Sequence, residues 1–273
     1  MRRSAIARNL LAFYVTVYVA ILYFPVLLLP VFSFNSSATP KLPLTGFSFK
    51  WYESLATNTT MHSAAWNSLI VGISAAVLST ILGICAARAM TRYRFRGKGI
   101  ATGLIMAPLV LPEIIIAISL LVVLLGLGLE LSLMTVILGH LLICVPYSIT
   151  VLVSGFEGFD PNMEAASRDL GETAWGTLTR ITLPMLMPSI ISSLLVTFTI
   201  SLDEFILAFF LSGTEPTLPV YIWGQLRFAA KLPNVLALGS IMIAASLVML
   251  TAAEIIRRRA EKKMGTGRQA EAQ

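Results

Sequence analysis

An all-α polytopic membrane protein, with six transmembrane helices and a two-helix loop outside the bilayer, is the fold the sequence predicts. Three observations predict it. Hydrophobic residues make up 56% of the chain and charged residues only 12%, about half the charge share of a soluble domain. Six apolar runs each approach or exceed the roughly 20 residues that a spanning helix needs. Between the fourth and fifth of these lies a polar stretch, Asp160 to Pro188, patterned like helices where a plain connector would have no such pattern.

The runs are Leu10–Phe34, Ala64–Ala89, Ile100–Gly126, Leu131–Ser154, Pro188–Leu211 and Val235–Ile256. The first follows Arg2, Arg3 and Arg8. Its apolar part is too long for a signal peptide and no small-x-small site precedes Asn35, so it is expected to remain as a span. The second carries Arg88 at its end and is followed by Arg92, Arg94, Arg96 and Lys98. The third carries Pro108 and Pro112, which interrupt the backbone ladder and border a pathway in some broken helices, although packing kinks are as common. The fourth holds His140 and Cys144, and the fifth holds Asp203 and Glu204. The sixth is followed by Arg257, Arg258, Arg259, Lys262, Lys263 and Arg268, after which 261–273 reads as a disordered tail. Residues 1–260 are expected to form one transmembrane domain.

Lysine and arginine in the loops set the orientation. The three basic regions fall on one side of a six-span chain, and the other side holds only Lys41, Lys50, Arg227 and Lys231. Both termini and the loop 155–187 are therefore expected to be cytoplasmic. The opposite loop 35–63 carries Phe47, Phe49, Trp51 and Tyr52, which suit a membrane interface.

Within the 155–187 loop, Asp160 suits a helix N-cap and Pro161 the first helical position. Met163, Ala166 and Leu170 share one face, and Gly171 is a natural stop. Trp175, Leu178 and Ile181 make a second stripe, expected to end at Leu183-Pro184. The loop is acidic: Glu157, Asp160, Glu164, Asp169 and Glu172 face only Arg168 and Arg180. A folded helix pair here reads as something gripped by a partner with a basic surface.

Chemistry on this chain is not indicated. No G-x-x-x-x-G-K-[ST] occurs, so nucleotide hydrolysis has to come from another chain. His62 and His140 have no partner at zinc-ligand spacing, and Cys85 and Cys144 form no metal or disulfide pattern. The net charge of +6 is concentrated beside apolar runs, which favours topology over nucleic acid. No catalytic residue, no metal and no cofactor is expected. Charges inside the membrane are the sharper signal, because each costs several kcal/mol there. Glu113, Asp203 and Glu204 either line a water-filled path that favours a cationic solute or pair with neighbouring helices.

At 160–188 the sequence resembles the inner-membrane permease subunit of a binding-protein-dependent ABC importer. That family's signature is Glu-Ala-Ala, three residues, Gly, nine residues, Ile-x-Leu-Pro, and Gly171, Ile181, Leu183 and Pro184 fit its spacing. Counting back from Gly171, the signature glutamate falls on Ala165, and the visible Glu-Ala-Ala at 164–166 stands one residue early. The stretches FSFNSS, APLVLPEIIIAISLL and SLDEFILAFFLSGTEPTLPVYIWGQLR are similar to the spermidine/putrescine class. The resemblance implies the type I importer permease fold, in a bacterial inner membrane. Its expected partners are two copies of an ABC ATPase carrying ATP and Mg, a second homologous permease, a periplasmic solute-binding protein, a small solute and lipid. It also implies ATPase coupling through Met163, Glu164, Ala165, Ala166, Asp169 and Gly171, with Ile181, Leu183 and Pro184 as hinge or support. The alternatives are a permease for an amino acid or opine-like solute, an ion-coupled secondary transporter, for which no inverted pairing of acids is found, and a membrane-embedded enzyme or assembly factor with the loop as a scaffold, for which no active-site constellation assembles.

Overall fold

The computed structural model describes residues 2–248 and 251, with side chains from Asn9 onward. The end of the sixth run, the basic cluster from Arg257 and the 261–273 tail lie outside the described residues. In chain order the helices are α1 (Arg2–Ser33), α2 (Lys50–Ala56), α3 (Thr59–Arg92), α4 (Lys98–Met106), α5 (Glu113–Gly126), α6 (Leu133–Glu157), α7 (Pro161–Asp169), α8 (Ala174–Thr177), α9 (Leu183–Asp203), α10 (Ile206–Leu211), α11 (Leu218–Leu226) and α12 (232–248). Five of the described helical stretches are long and apolar enough to cross a membrane, and six are when one bent pair counts as a single span.

The chain divides into two compact units, one made of residues up to 58 with those from 224 on, the other of 59–223. In the first unit the apolar stretch of α1 from Asn9 onward has no buried residue in its most apolar window, as a lipid-facing helix does. The segment after it is tied into a knot around Asn35. The Asn35 side-chain oxygen accepts hydrogen bonds from the Thr45 amide at 3.1 Å and the Thr45 hydroxyl at 2.9 Å. The Trp51 indole donates to the Asn35 carbonyl at 2.8 Å. Phe34, Phe47, Phe49 and Tyr52 stack beside it, with Phe34–Phe47 centroids 4.9 Å apart.

The second unit is built on α3, α6 and α9, which pack against one another along their lengths. In hydrocarbon the hydrophobic effect does not drive helices together, so small residues and hydroxyls do this work. Ser193 of α9 bonds both Thr80 of α3 at 3.0 Å and Ser148 of α6 at 2.8 Å. Farther along, His140 Nδ1 meets Ser201 at 2.7 Å, and the Thr135 hydroxyl donates to the Leu211 carbonyl at 2.8 Å. Gly83 makes the approach possible: a Cβ there would lie 2.1 Å from Ser148 Oγ and 3.0 Å from Leu152 Cδ1. A Gly83→Val chain is therefore expected to lose about 1–3 kcal/mol to overpacking. Thermal unfolding in mild detergent checks this, and an unchanged melting temperature would show that the seam yields.

Two predicted spans are not single helices. The run Ile100–Gly126 bends by 103° between the helical stretches Lys98–Leu109 and Glu113–Gly126. Pro108 and Pro112 each remove a backbone donor, and Leu111, lying before a proline, is pushed out of the helical region. Glu113 is consequently the first residue of α5, not the middle of a span. The run Pro188–Leu211 is broken at Glu204, whose backbone is extended (φ −68°, ψ 116°), between α9 and α10. The Glu204 carboxylate competes for the next helix start and accepts the Leu207 amide at 2.8 Å.

A third correction concerns Leu183-Pro184, which does not end a helix. Helical backbone runs from Ala174 to Asp203, with a π-turn at Leu178–Thr182 just before α9. The wider turn displaces the bonding pattern immediately before Pro184, where its ring would otherwise meet the carbonyl four residues back. The second short helix of the loop is thus the leading end of the fifth spanning helix.

Candidate functional site

The segment between α6 and α9 is closed by local hydrogen bonds at each turn. The Asp160 carboxylate accepts the Asn162 amide at 2.9 Å and Pro161 opens α7. At the other end the Gly171 amide donates to the Arg168 carbonyl at 2.9 Å and the Glu172 amide to Ser167 at 3.1 Å, which is the two-bond pattern of a Schellman stop. Gly171 has φ +90°, a value that residues with a Cβ avoid. Thr173 then caps α8 by accepting the Gly176 amide at 3.0 Å. An Asp160→Ala chain is expected to lose about 1 kcal/mol of α7 stability. Faster backbone hydrogen exchange confined to 161–169 is the measurement that checks it.

The polarity of this segment is inverted. Glu164 and Ser167 of α7, with Thr177 and Thr182 beyond it, are the buried residues. Leu170 is 88% exposed, Trp175 72% and Met163 43%. Inside, Glu164 Oε1 accepts the Thr182 hydroxyl at 2.7 Å and Glu164 Oε2 lies 3.5 Å from Arg92 Nε. Arg92, the last residue of α3, also donates to the Phe159 carbonyl at 3.2 Å and lies 5.7 and 5.5 Å from the rings of Phe156 and Phe159. The Ser167 and Thr177 hydroxyls meet at 3.2 Å. A polar underside is fastened down, so the apolar side faces out. That is the reverse of what a free-standing amphipathic helix on a soluble surface does.

Of the residues singled out in the sequence, Met163, Ala165, Ala166, Asp169 and Gly171 lie exposed on this segment. Ile181 and Leu183 are half-buried, and Pro184 is exposed. Glu164 differs from its neighbours in turning inward. Arg92, Ser167 and Thr182 were not singled out. In the sequence Arg92 reads only as a topology charge beyond the end of an apolar run.

The three acids of the spans lie at helix breaks. Asp203 is exposed at the last position of α9, Glu113 is exposed at the first position of α5, and Glu204 is buried against the start of α10. Helix N-termini favour negative charge, which suits both glutamates. The two helices they introduce pack together through Ile116, Ala117 and Leu124 on α5 with Leu207, Ala208 and Leu211 on α10. Among the described residues no group of three His, Cys, Asp or Glu side chains is placed to hold a metal ion.

Residues 79–264 match the family described as binding-protein-dependent transport system inner membrane component. The chain is 35% identical over 263 residues to the spermidine/putrescine transport system permease protein PotC of Shigella flexneri, covering 96% of this chain and 98% of that one. It is 36% identical over 250 residues to the putrescine transport system permease protein PotI of Escherichia coli K12, covering 89% and 88%. Among solved structures, a chain of a bacterial ABC transporter involved in the import of the acidic polysaccharide alginate superposes with a TM-score of 0.76 at 17% identity, over 94% of this chain and 98% of that one. That likeness is one of fold.

Proposed function

The chain belongs to the binding-protein-dependent transport system inner membrane components, and on that footing we propose that it is one of two permease subunits importing a polyamine, driven by a separate ATPase docked on 160–184. It is a multi-pass, non-catalytic membrane subunit of an ABC importer. The observation that carries the docking is the outward apolar set Met163, Leu170 and Trp175 on a segment whose polar side is tied down. Exposed apolar surface on a well-capped helix is costly unless a partner covers it.

In this reading two ATPase subunits bind the loop side and a second homologous permease completes the pathway. A periplasmic binding protein delivers cargo to the opposite side. Lysine and arginine bias supports cytoplasmic termini. A reporter active only in the cytoplasm, fused after Gln273, tests this, and silence in a stably inserted fusion would reverse the topology.

The cargo reading is supported by the polyamine permeases it resembles and by the acids at the helix breaks. Glu204 is occupied in capping α10, which leaves Asp203 and Glu113 as the exposed carboxylates. Asp203→Asn is expected to raise the half-saturating concentration for labelled spermidine about tenfold, the worth of about 1.4 kcal/mol of ion pairing. Uptake in cells lacking their own polyamine systems, co-expressing the complete transporter, is the measurement. Spermidine accumulation indistinguishable from vector alone, with an assembled complex present, would send the cargo reading to another small solute.

A further inference from the structure

We propose that Arg92 is a positioning residue: with Glu164 it forms the joint through which α7 moves the end of α3, and so carries the ATPase stroke into the membrane. The proposal rests on the docking of α7 described above. Glu164 is 6% exposed and uses both carboxylate oxygens on different elements, Oε1 on Thr182 at the start of α9 and Oε2 on Arg92 at the end of α3. Arg92 reaches back to the Phe159 carbonyl, next to the cap of α7, and lies over Phe156 at the end of α6. The Glu164 carboxylate therefore joins α7 to α3 through an ion pair and to the start of α9 through a hydrogen bond, and the Arg92 guanidinium reaches the end of α6.

The alternative, that Arg92 merely satisfies a buried acid, leaves its position unexplained. α3 has 34 residues, a rod of about 50 Å at 1.5 Å per residue. It is among the longest helices described and packs on both α6 and α9. A displacement applied at its last residue is delivered along the whole bundle. Beside Arg92 lies an open groove of about 600 Å³, lined by Met90, Thr91 and Lys98 with Ile149, Val153 and Glu157 of α6, so the end of α3 is not closed in on that side.

The test uses the full transporter, this chain co-expressed with its own ATPase and reconstituted in liposomes. Spin labels are placed at Tyr93→Cys and Asn162→Cys, both exposed, in a Cys85→Ser background, Cys144 being buried. The label-to-label distance is read without nucleotide and with Mg-ATP and vanadate. In the parent the distribution is expected to be narrow and the same in both states, because the joint moves as one piece. In Arg92→Gln it is expected to broaden, with its mean shifting between states, while the ATPase still co-purifies. Arg92→Lys, which keeps the charge but not the fork, is expected to fall between the two. If Arg92→Gln does not accumulate, Glu164→Gln asks the same question and keeps an acceptor for Thr182. A narrow, state-independent distribution in the variant with ATPase bound overturns the joint and leaves docking intact. A parent distance that itself changes with nucleotide also overturns the joint. Failure of any ATPase to co-purify with the parent removes the docking reading, and the joint with it.

Discussion

Replacing Leu170 by glutamate is expected to strip the ATPase from the transporter without weakening the chain. Leu170 is 88% exposed and Trp175 72% exposed, so neither contributes packing to this chain that a polar substitute would lose. In a docked complex both would be desolvated, and a charge there has no partner among the acidic residues of the loop. Truncating a central aromatic at an interface commonly costs at least about 2 kcal/mol, or roughly thirtyfold in affinity. Trp175→Ala is therefore the companion variant. The measurement is paired: the amount of ATPase retained on a tagged permease, and the thermal stability of the permease alone. Full retention with either variant contradicts the docking face. Loss of retention together with a lowered melting temperature would instead say that these side chains hold the chain's own fold.

Gly171→Val is expected to cut import roughly 5- to 30-fold while membrane insertion stays normal. Nothing lies within 4 Å of a Cβ built at Gly171, so a side chain meets no obstacle there. The whole effect comes from φ +90°, which costs a residue with a Cβ roughly 1–2 kcal/mol, more when it is β-branched. One or two kcal/mol is a factor of about 5–30 in a conformational equilibrium. Relief of the strain would open the Schellman stop, release the Glu172–Ser167 bond and let α7 swing away from Thr177, whose hydroxyl meets Ser167 of α7. Because the substitution adds no charge, loss of import isolates the turn geometry from docking electrostatics. Wild-type import by Gly171→Val would mean that the angle between α7 and α8 is not what transmits force. Gly171→Ala, with one carbon and the same φ, should fall between.

Much of the loop was legible because its signals are local. Asp160, Pro161 and Gly171 act within a few residues of themselves, and each takes the place that its side-chain chemistry dictates. The span count was legible for the same reason, as length and apolar composition are properties of a window. The breaks were half-legible. Pro108 and Pro112 announce a bend but not one of 103°. The interruption at Glu204 has no proline, and comes from a carboxylate that bonds the third amide ahead. Pro184 misled, because the helical backbone passes through it after a π-turn, just as it passes through Pro188 one turn later.

The inward turn of Glu164 was not legible. Its partners, Arg92 and Thr182, belong to helices that meet only once the bundle has formed, and no period in the sequence connects them. The stripe Met163, Ala166 and Leu170 was visible, but a stripe alone does not say whether it lies against the protein or away from it. That is settled by the buried polar residues opposite.

Ser193 touches Thr80 on one side and Ser148 on the other. A hydroxyl offers one proton and two lone pairs and rotates freely about its C–O bond. If the neighbouring rods slip past one another by a fraction of a turn, each oxygen trades one mate for the next, and no polar atom is stranded in the oily interior. Interlocking leucines give no such latitude, since they must climb out of one groove before falling into another. A seam of hydroxyls thus permits small slips between the rods that interlocked leucines would resist.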